Sequence, residues 1–313
     1  MERDHEAAVA LQPARAKASA ILVALRPFQW PKNLIVYAAL VFSAGDAWEL
    51  RAVESWDHLL ARTTALFVAW CLASSAVYLV NDVRDAPLDR FHPTKRRRPV
   101  AAGEVAPGEA LAIALLLGAA GLLLAATTAG WEATAVLAGY LAGMSAYSAA
   151  LKHVPIADVA ALTGGVVARA VSGALAISVH ISPWLYVCSG IGAWFLAVSK
   201  RWAELRSLGA EAENHRPALA RYPPELLDQM LSASAGATVV TYALYSIESA
   251  NVPENGAMAL TIPFVAYGIF RYLYLLAGPR REDAPDRILF TDPQLLGTMA
   301  GFVGVALAVL LLA

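Results

Sequence analysis

Three aspartates, Asp82, Asp85 and Asp89, stand at spacing i, i+3, i+7 within the stretch from Tyr78 to Pro99. On a helix, about 100° per residue brings all three within a sector of roughly 60°, provided that Pro87 leaves the helix intact. Carboxylates crowded on one face at a membrane surface repel one another unless a cation joins them. Hard oxygen ligands suit Mg²⁺, which keeps several waters and binds through one or two carboxylates together with substrate phosphates. Lys95, Arg96, Arg97 and Arg98 follow directly and bring positive charge for phosphate oxygens. Acids and bases in this order describe a metal–diphosphate site. A loop whose charges only set topology and touch lipid headgroups accounts for the basic run, but not for three acids along one face.

The elements that must carry these residues are helices in a bilayer. The 313 residues are 58% hydrophobic and 16% charged, against about 25% charged in soluble domains. Nine apolar blocks lie near 21–43, 63–81, 107–130, 133–151, 156–180, 183–199, 229–250, 257–277 and 295–313. The last of them carries no charge and matches the roughly 20 residues needed to cross the hydrocarbon core. Only helices or closed barrels satisfy their backbone in lipid, and runs without alternation favour helices. The expected fold is therefore all-α, a polytopic membrane protein with nine transmembrane helices. Residues 1–20 read as a polar tail without a cleavable signal, and residues 21–313 as a single transmembrane domain. Cys71 and Cys188 both fall inside predicted spans, so no disulfide framework is expected.

The net charge of −1 hides an asymmetry between the two faces. Loops after the second, fourth, sixth and eighth blocks hold Arg84, Arg90, Lys95 to Arg98, Lys152, Lys200, Arg201, Arg206, Arg216, Arg221, Arg280, Arg281 and Arg287. The opposite loops hold only Arg51 and Arg62. The positive-inside rule then places the N-terminus in the cytoplasm and the C-terminus outside.

Other polar groups collect on the same predicted cytoplasmic side. Lys200, Arg201, Glu204, Arg206, Glu211, Glu213, His215, Arg216, Arg221 and Tyr222 follow the sixth block. Tyr147, Ser148, Lys152 and Asp158 follow the fourth, and Arg26, Gln29, Trp30, Lys32 and Asn33 lie in the first. This placement allows all of them to face one cytoplasmic cavity. Arg169 lies well inside the fifth block, where a charge costs about 2.5–3.5 kcal/mol and faces a cavity or a partner; an internal ion pair and phosphate binding both remain open for it. Trp48, Trp56, Trp131 and Trp184 are interface anchors. His58, His153 and His180 show no metal spacing, and nothing in the charge pattern points to nucleic acid.

Asn81-Asp82-x-x-Asp85-x-x-x-Asp89 resembles the first aspartate-rich motif of the UbiA superfamily of intramembrane prenyltransferases. Leu25-Arg26-Pro27-Phe28-Gln29-Trp30-Pro31-Lys32-Asn33 and His92-Pro93-x-Lys95-x-x-Arg98-Pro99 narrow the resemblance to its decaprenyl-phosphate phosphoribosyltransferase branch. So do Tyr147-Ser148-x-x-Leu151-Lys152, Asp158, Arg169, Lys200-Arg201-x-x-Glu204-Leu205, Arg216-Pro217-x-Leu219 and Ile262-Pro263-Phe264-Val265. The likeness runs from about Leu25 to Leu296. Most of the superfamily carries a second aspartate-rich motif after the sixth span; here Lys200-Arg201-Trp202-Ala203-Glu204 stands in its place. The acidic run Glu282-Asp283-Ala284-Pro285-Asp286 is irregular against the branch, and roles for Asp286 and Asp292 stay open.

The resemblance implies a nine-helix bundle with a cytoplasmic-facing active site in the bacterial plasma membrane. It implies transfer of 5-phosphoribosyl from phosphoribosyl pyrophosphate to decaprenyl or another polyprenyl phosphate, for cell-wall arabinan precursors. Mg²⁺, with Mn²⁺ as a substitute, would be held by Asp82, Asp85 and Asp89, the catalytic acids. Lys200 and Arg201 would take the donor's 5-phosphate, and Lys32, Lys152 and Arg169 the acceptor phosphate. Asn33, Tyr78, Asn81, Lys95, Arg98, Tyr147 and Glu204 complete the expected substrate-binding set. A homo-oligomer is compatible with this reading. Two alternatives fit the pattern less well. Prenyl transfer to an aromatic acceptor requires the missing second acidic cluster, and transport of a phosphorylated solute or lipid would place the polar groups nearer the midplane.

Overall fold

A computed structural model describes residues 17–312, apart from 45–46, 50–51, 93, 181–182, 209–218, 220, 250–251, 279–287 and 290. Most of the expected polar tail, Pro93, Glu211, Glu213, His215, Arg216, Pro217, the run Glu282 to Asp286 and the arginines Arg51, Arg280, Arg281 and Arg287 lie outside the described residues. Among the described residues every regular element is helical, with a single isolated bridge between Ala44 and Trp48. The α-helices are α1 (Lys17–Leu25), α2 (Ala38–Phe42), α3 (Val53–Asp89), α4 (Pro107–Thr128), α5 (Trp131–Ala149), α6 (Ala157–Ala176), α7 (Pro183–Leu208), α8 (Pro224–Glu248), α9 (Ile262–Ala277) and α10 (Pro293–Leu312).

Local chemistry explains several boundaries. Helices α4, α7, α8 and α10 each begin on proline, whose missing N–H costs nothing in the first turn. Asp292 caps α10, its Oδ1 accepting the Leu295 N–H at 2.9 Å. The first apolar block is not one α-helix. Pro27 and Pro31 interrupt it, and Pro27–Tyr37 forms a 3₁₀ segment between α1 and α2.

Among the described residues, six helical stretches are long and apolar enough to cross a membrane by length and composition: Trp56–Asp89, Pro107–Thr128, Ala157–Ala176, Pro224–Glu248, Ala257–Ala277 and Pro293–Leu312. The remaining three predicted blocks lie on helical segments that do not qualify. One is broken at Pro27–Tyr37; α5 is diluted by glycine, serine and tyrosine, and the end of α7 carries Lys200, Arg201, Glu204 and Arg206. Leu115, Leu116 and Leu123 of α4 are 75%, 69% and 66% exposed, an apolar face that belongs against lipid rather than water.

The chain forms two units, Met1–Asn33 with Val68–Leu124, and Leu34–Phe67 with Ala125–Ala313. In the first, small residues let helices approach: Ala20, Ala24, Ala76, Ala86, Ala110 and Ala114 pack with Leu79, Val100 and Val105. In the second, a buried cluster joins Val159, Phe195, Tyr222, Leu227, Leu231, Tyr272 and Leu295, with Phe195 and Tyr272 edge-to-face at 5.5 Å. Gly173 of α6 lies directly under the 3₁₀ segment, and a Cβ built there would come within 2.1 Å of the Val36 carbonyl oxygen. The obstacle is backbone and cannot rotate away. Gly173→Ala is expected to destabilise by about 1–3 kcal/mol or more, read as a lower thermal midpoint in detergent, whereas Gly139→Ala, with nothing within 4 Å of its Cβ, should be near neutral.

Candidate active site

In the first unit, α3 runs through Pro87 to Asp89, so Asp82, Asp85 and Asp89 keep helical register. Pro87 has no N–H to give to the preceding turn, yet the helix continues past it to Asp89. Asp82 and Asp89 are 2% and 5% exposed, so these two acids are buried rather than solvated at a membrane surface; Asp85 is half-buried. Arg98 ties the two together, its Nη1 donating to Asp89 Oδ2 at 2.6 Å and to Asp82 Oδ1 at 3.4 Å. Arg26 Nη2 donates to the same Asp82 Oδ1, and its guanidinium lies 5.0 Å from the Tyr78 ring centroid.

Arg26 is held there by the break in the first apolar block. Its φ is +55°, a left-handed conformation uncommon for non-glycine residues, and it is fixed between the end of α1 and Pro27. The following segment is stitched to α3: Trp30 Nε1 donates to Ser75 Oγ at 3.1 Å, Ser75 Oγ to the Leu25 carbonyl at 2.9 Å, and Asn33 Nδ2 to Ser74 Oγ at 3.3 Å. Asn33 is buried in this seam, Lys32 is exposed beside it, and Asn81 is half-buried. Lys95 opens a 3₁₀ turn, Lys95–Arg97, in which Arg96 and Arg97 are exposed.

Asp82 Oδ2 is buried and accepts no hydrogen bond. A carboxylate oxygen sealed without a donor is costly, and a cation is the group that would satisfy it. Among the described residues, no group of three or more His, Cys, Asp or Glu side chains is set closely enough to hold a metal ion unaided. Mg²⁺ needs only one or two carboxylates when phosphates supply the remaining oxygens, so the acids of α3 fit a divalent cation that arrives with a diphosphate.

In the second unit a buried network forms around Asp158, in the first turn of α6. Arg201 donates from Nε to Asp158 Oδ2 at 2.5 Å, from Nη1 to Glu204 Oε2 at 2.7 Å and from Nη2 to Tyr147 Oη at 3.3 Å. Tyr222 Oη donates to Asp158 Oδ1 at 2.7 Å and accepts the Ile156 N–H at 2.5 Å. Burial, above all, pushes the Tyr222 phenol up to about 12, so it stays a protonated donor at neutral pH. Arg201 is 1% exposed and Asp158 fully buried. The arginine read from the sequence as a phosphate ligand is thus engaged by two carboxylates and a phenol, while its neighbour Lys200 is half-buried. Lys152 is also half-buried, on the 3₁₀ turn Leu151–His153.

Arg169 lies further along α6. Its Nη1 donates to the Gly165 carbonyl at 2.6 Å and its Nη2 to Tyr140 Oη at 3.1 Å, and the guanidinium lies 4.7 Å from the Tyr140 ring centroid. Asp292 pairs with Arg271, Oδ2 to Nη2 at 2.9 Å, and that hydrogen bond holds its carboxyl below the usual range. The structure joins Asp82, Asp89 and Arg98 directly in one unit, and Tyr147, Arg201 and Glu204 in the other. Arg26, Asp158 and Tyr222 complete these networks but were not among the predicted site residues. Arg26 precedes a proline in a polar segment of an apolar block, which was a usable signal.

The UbiA prenyltransferase family profile matches residues 33–292. A protein named decaprenyl-phosphate phosphoribosyltransferase from Mycolicibacterium smegmatis is 36% identical over 238 residues, 75% of this chain and 72% of that protein. One of the same name from Corynebacterium glutamicum is 34% identical over 286 residues, 90% of this chain and 83% of that protein. Among solved structures, a UbiA homolog from Archaeoglobus fulgidus bound to GPP and Mg²⁺ superposes with a TM-score of 0.69 at 18% identity, covering 93% of this chain and 99% of that one.

Proposed function

Since this chain belongs to the UbiA prenyltransferase family, we propose that it is a multi-pass membrane transferase that moves 5-phosphoribosyl from phosphoribosyl pyrophosphate to a polyprenyl phosphate, decaprenyl phosphate in the first instance. The observation that carries this reading is the 34–36% identity, across most of both chains, to relatives named for that reaction. The product is a polyprenylphosphoryl-5-phosphoribose, a precursor for cell-wall arabinan.

The chemistry suits the residues. The anomeric C–O bond breaks, diphosphate leaves, and a phosphate oxygen of the acceptor forms the new bond. That oxygen is already ionised near neutral pH, so no general base is needed. Asp82, Asp85 and Asp89 would hold Mg²⁺ or Mn²⁺. When bound, the cation neutralises charge on the departing diphosphate. Arg98 and Arg26 stand beside these acids and bring two further positive charges to the leaving group. In-line attack inverts the anomeric centre.

Lys200 is our ligand for the 5-phosphate. Arg201 is assigned a positioning role, because its guanidinium is committed to Asp158 and Glu204. Lys32, Lys152 and Arg169 are assigned to the acceptor phosphate by charge and location. The decisive assay follows pyrophosphate release from phosphoribosyl pyrophosphate by purified protein. Release that requires polyprenyl phosphate supports transfer; release independent of it, or none, overturns the reading.

Residues 21–313 are read as one transmembrane domain, since the family match runs through both units. We further propose nine crossings of the bacterial plasma membrane, a cytoplasmic-facing site, the N-terminus inside and the C-terminus outside, supported by the loop charges. A reporter fused at Ala313 should read as external and one in the loop between α3 and Arg98 as cytoplasmic. Both on the same side would contradict nine crossings.

A further inference from the structure

Neither oxygen of Asp82 is open to a hydrated cation. Oδ1 is covered by the guanidiniums of Arg26 and Arg98, and Oδ2 is buried without a hydrogen-bond partner. The aspartate is fixed on a long helix, whereas the side chains of Arg26 and Arg98 are partly open to solvent, at 20% and 29% exposed. Arg26 also stands on a left-handed backbone that presents its guanidinium to Asp82 from outside α3.

From this geometry we infer that Arg26 is a gate on the metal site: it occupies Asp82 until a diphosphate draws its guanidinium away. Phosphate oxygens compete well for a guanidinium, which pairs with them in a bidentate, charge-assisted way. Once Arg26 turns to the diphosphate, Asp82 is exposed to the cation that the diphosphate carries. Metal and diphosphate therefore enter as one unit, and the metal alone binds poorly. Each ligand makes the other's site, so the coupling is reciprocal. The consequence is that the acids are not loaded with a cation while no leaving group is present. The inference rests on the metal–diphosphate reading of these acids and adds the order in which the site is filled.

The sign of one variant separates this gate from a merely structural ion pair. Mn²⁺ binding to the purified full-length protein is followed by electron paramagnetic resonance, without diphosphate, in wild type, Arg26→Gln and Arg26→Lys. The gate predicts that Arg26→Gln binds Mn²⁺ alone about tenfold more tightly than wild type, as expected when a competing cation is removed, and that Arg26→Lys stays weak. A residue that only orients Asp82 predicts the reverse, weaker Mn²⁺ binding in Arg26→Gln. Equal or weaker binding overturns the gate.

Equilibrium dialysis of labelled pyrophosphate with and without Mn²⁺ is the second measurement. Wild type should bind pyrophosphate at least about tenfold more tightly with Mn²⁺, and Arg26→Gln should lose most of that difference. If Mn²⁺ and pyrophosphate bind wild type cooperatively but Arg26→Gln gains nothing, the gate alone fails. If wild type binds neither, the metal–diphosphate reading fails and takes the gate with it. Should Arg26→Gln not survive extraction, Arg98→Gln tests the seal from its other side with the same expected gain.

Discussion

Asp82→Asn is expected to lower kcat/KM for phosphoribosyl pyrophosphate by roughly 10²–10³-fold, the usual cost of deleting one group that stabilises developing charge. The substitution keeps shape and removes the charge on which Arg26, Arg98 and the cation converge. Because Asp82 is 2% exposed, the variant also loses an internal counter-ion, so its thermal midpoint must be measured alongside its kinetics. Arg98 keeps Asp89 at 2.6 Å, which limits the structural loss. Turnover should vanish with EDTA and return with Mg²⁺ or Mn²⁺. Full activity in the variant, or in EDTA, would remove the metal–diphosphate site from the account.

Adjacent positions on α7 should fail in opposite ways. Arg201→Ala strips the partner from Asp158, which is fully buried, and from Glu204. Breaking a buried pair by removing one member costs about 3–5 kcal/mol. The expected result is poor yield and a large fall in thermal midpoint, and Arg201→Lys should rescue little because a lysine cannot reproduce the three-way fork. Lys200→Ala should leave stability near wild type and raise KM for phosphoribosyl pyrophosphate by roughly ten- to a hundredfold, the cost of one charged hydrogen bond. KM for polyprenyl phosphate should change much less. A stable Arg201→Ala protein with raised donor KM would return Arg201 to the phosphate site.

What the sequence disclosed tracks what is local. The aspartate spacing was legible because helical period is a property of adjacent turns, and α3 keeps that period through Pro87. The break in the first apolar block was legible in principle from Pro27 and Pro31. The pairing of Arg201 with Asp158, 43 positions apart, was not, because one sequence carries no record of which distant residues meet. The charge of Asp82 and Asp89 points them to a surface, whereas they are buried against Arg26 and Arg98, partners that no local pattern announces. The left-handed backbone that aims Arg26 falls between the end of α1 and Pro27, and its residue type gives no hint of it.

The central claim is the identity of the transferred group, and the mass of the lipid product tests it most directly. Purified protein is given two substrate pairs in separate reactions with Mg²⁺: phosphoribosyl pyrophosphate with decaprenyl phosphate, and a prenyl diphosphate with 4-hydroxybenzoate. The account predicts a decaprenyl phosphate that has gained a ribose still bearing its 5-phosphate, and no product from the second pair. A prenylated 4-hydroxybenzoate, with decaprenyl phosphate left unchanged, would contradict it.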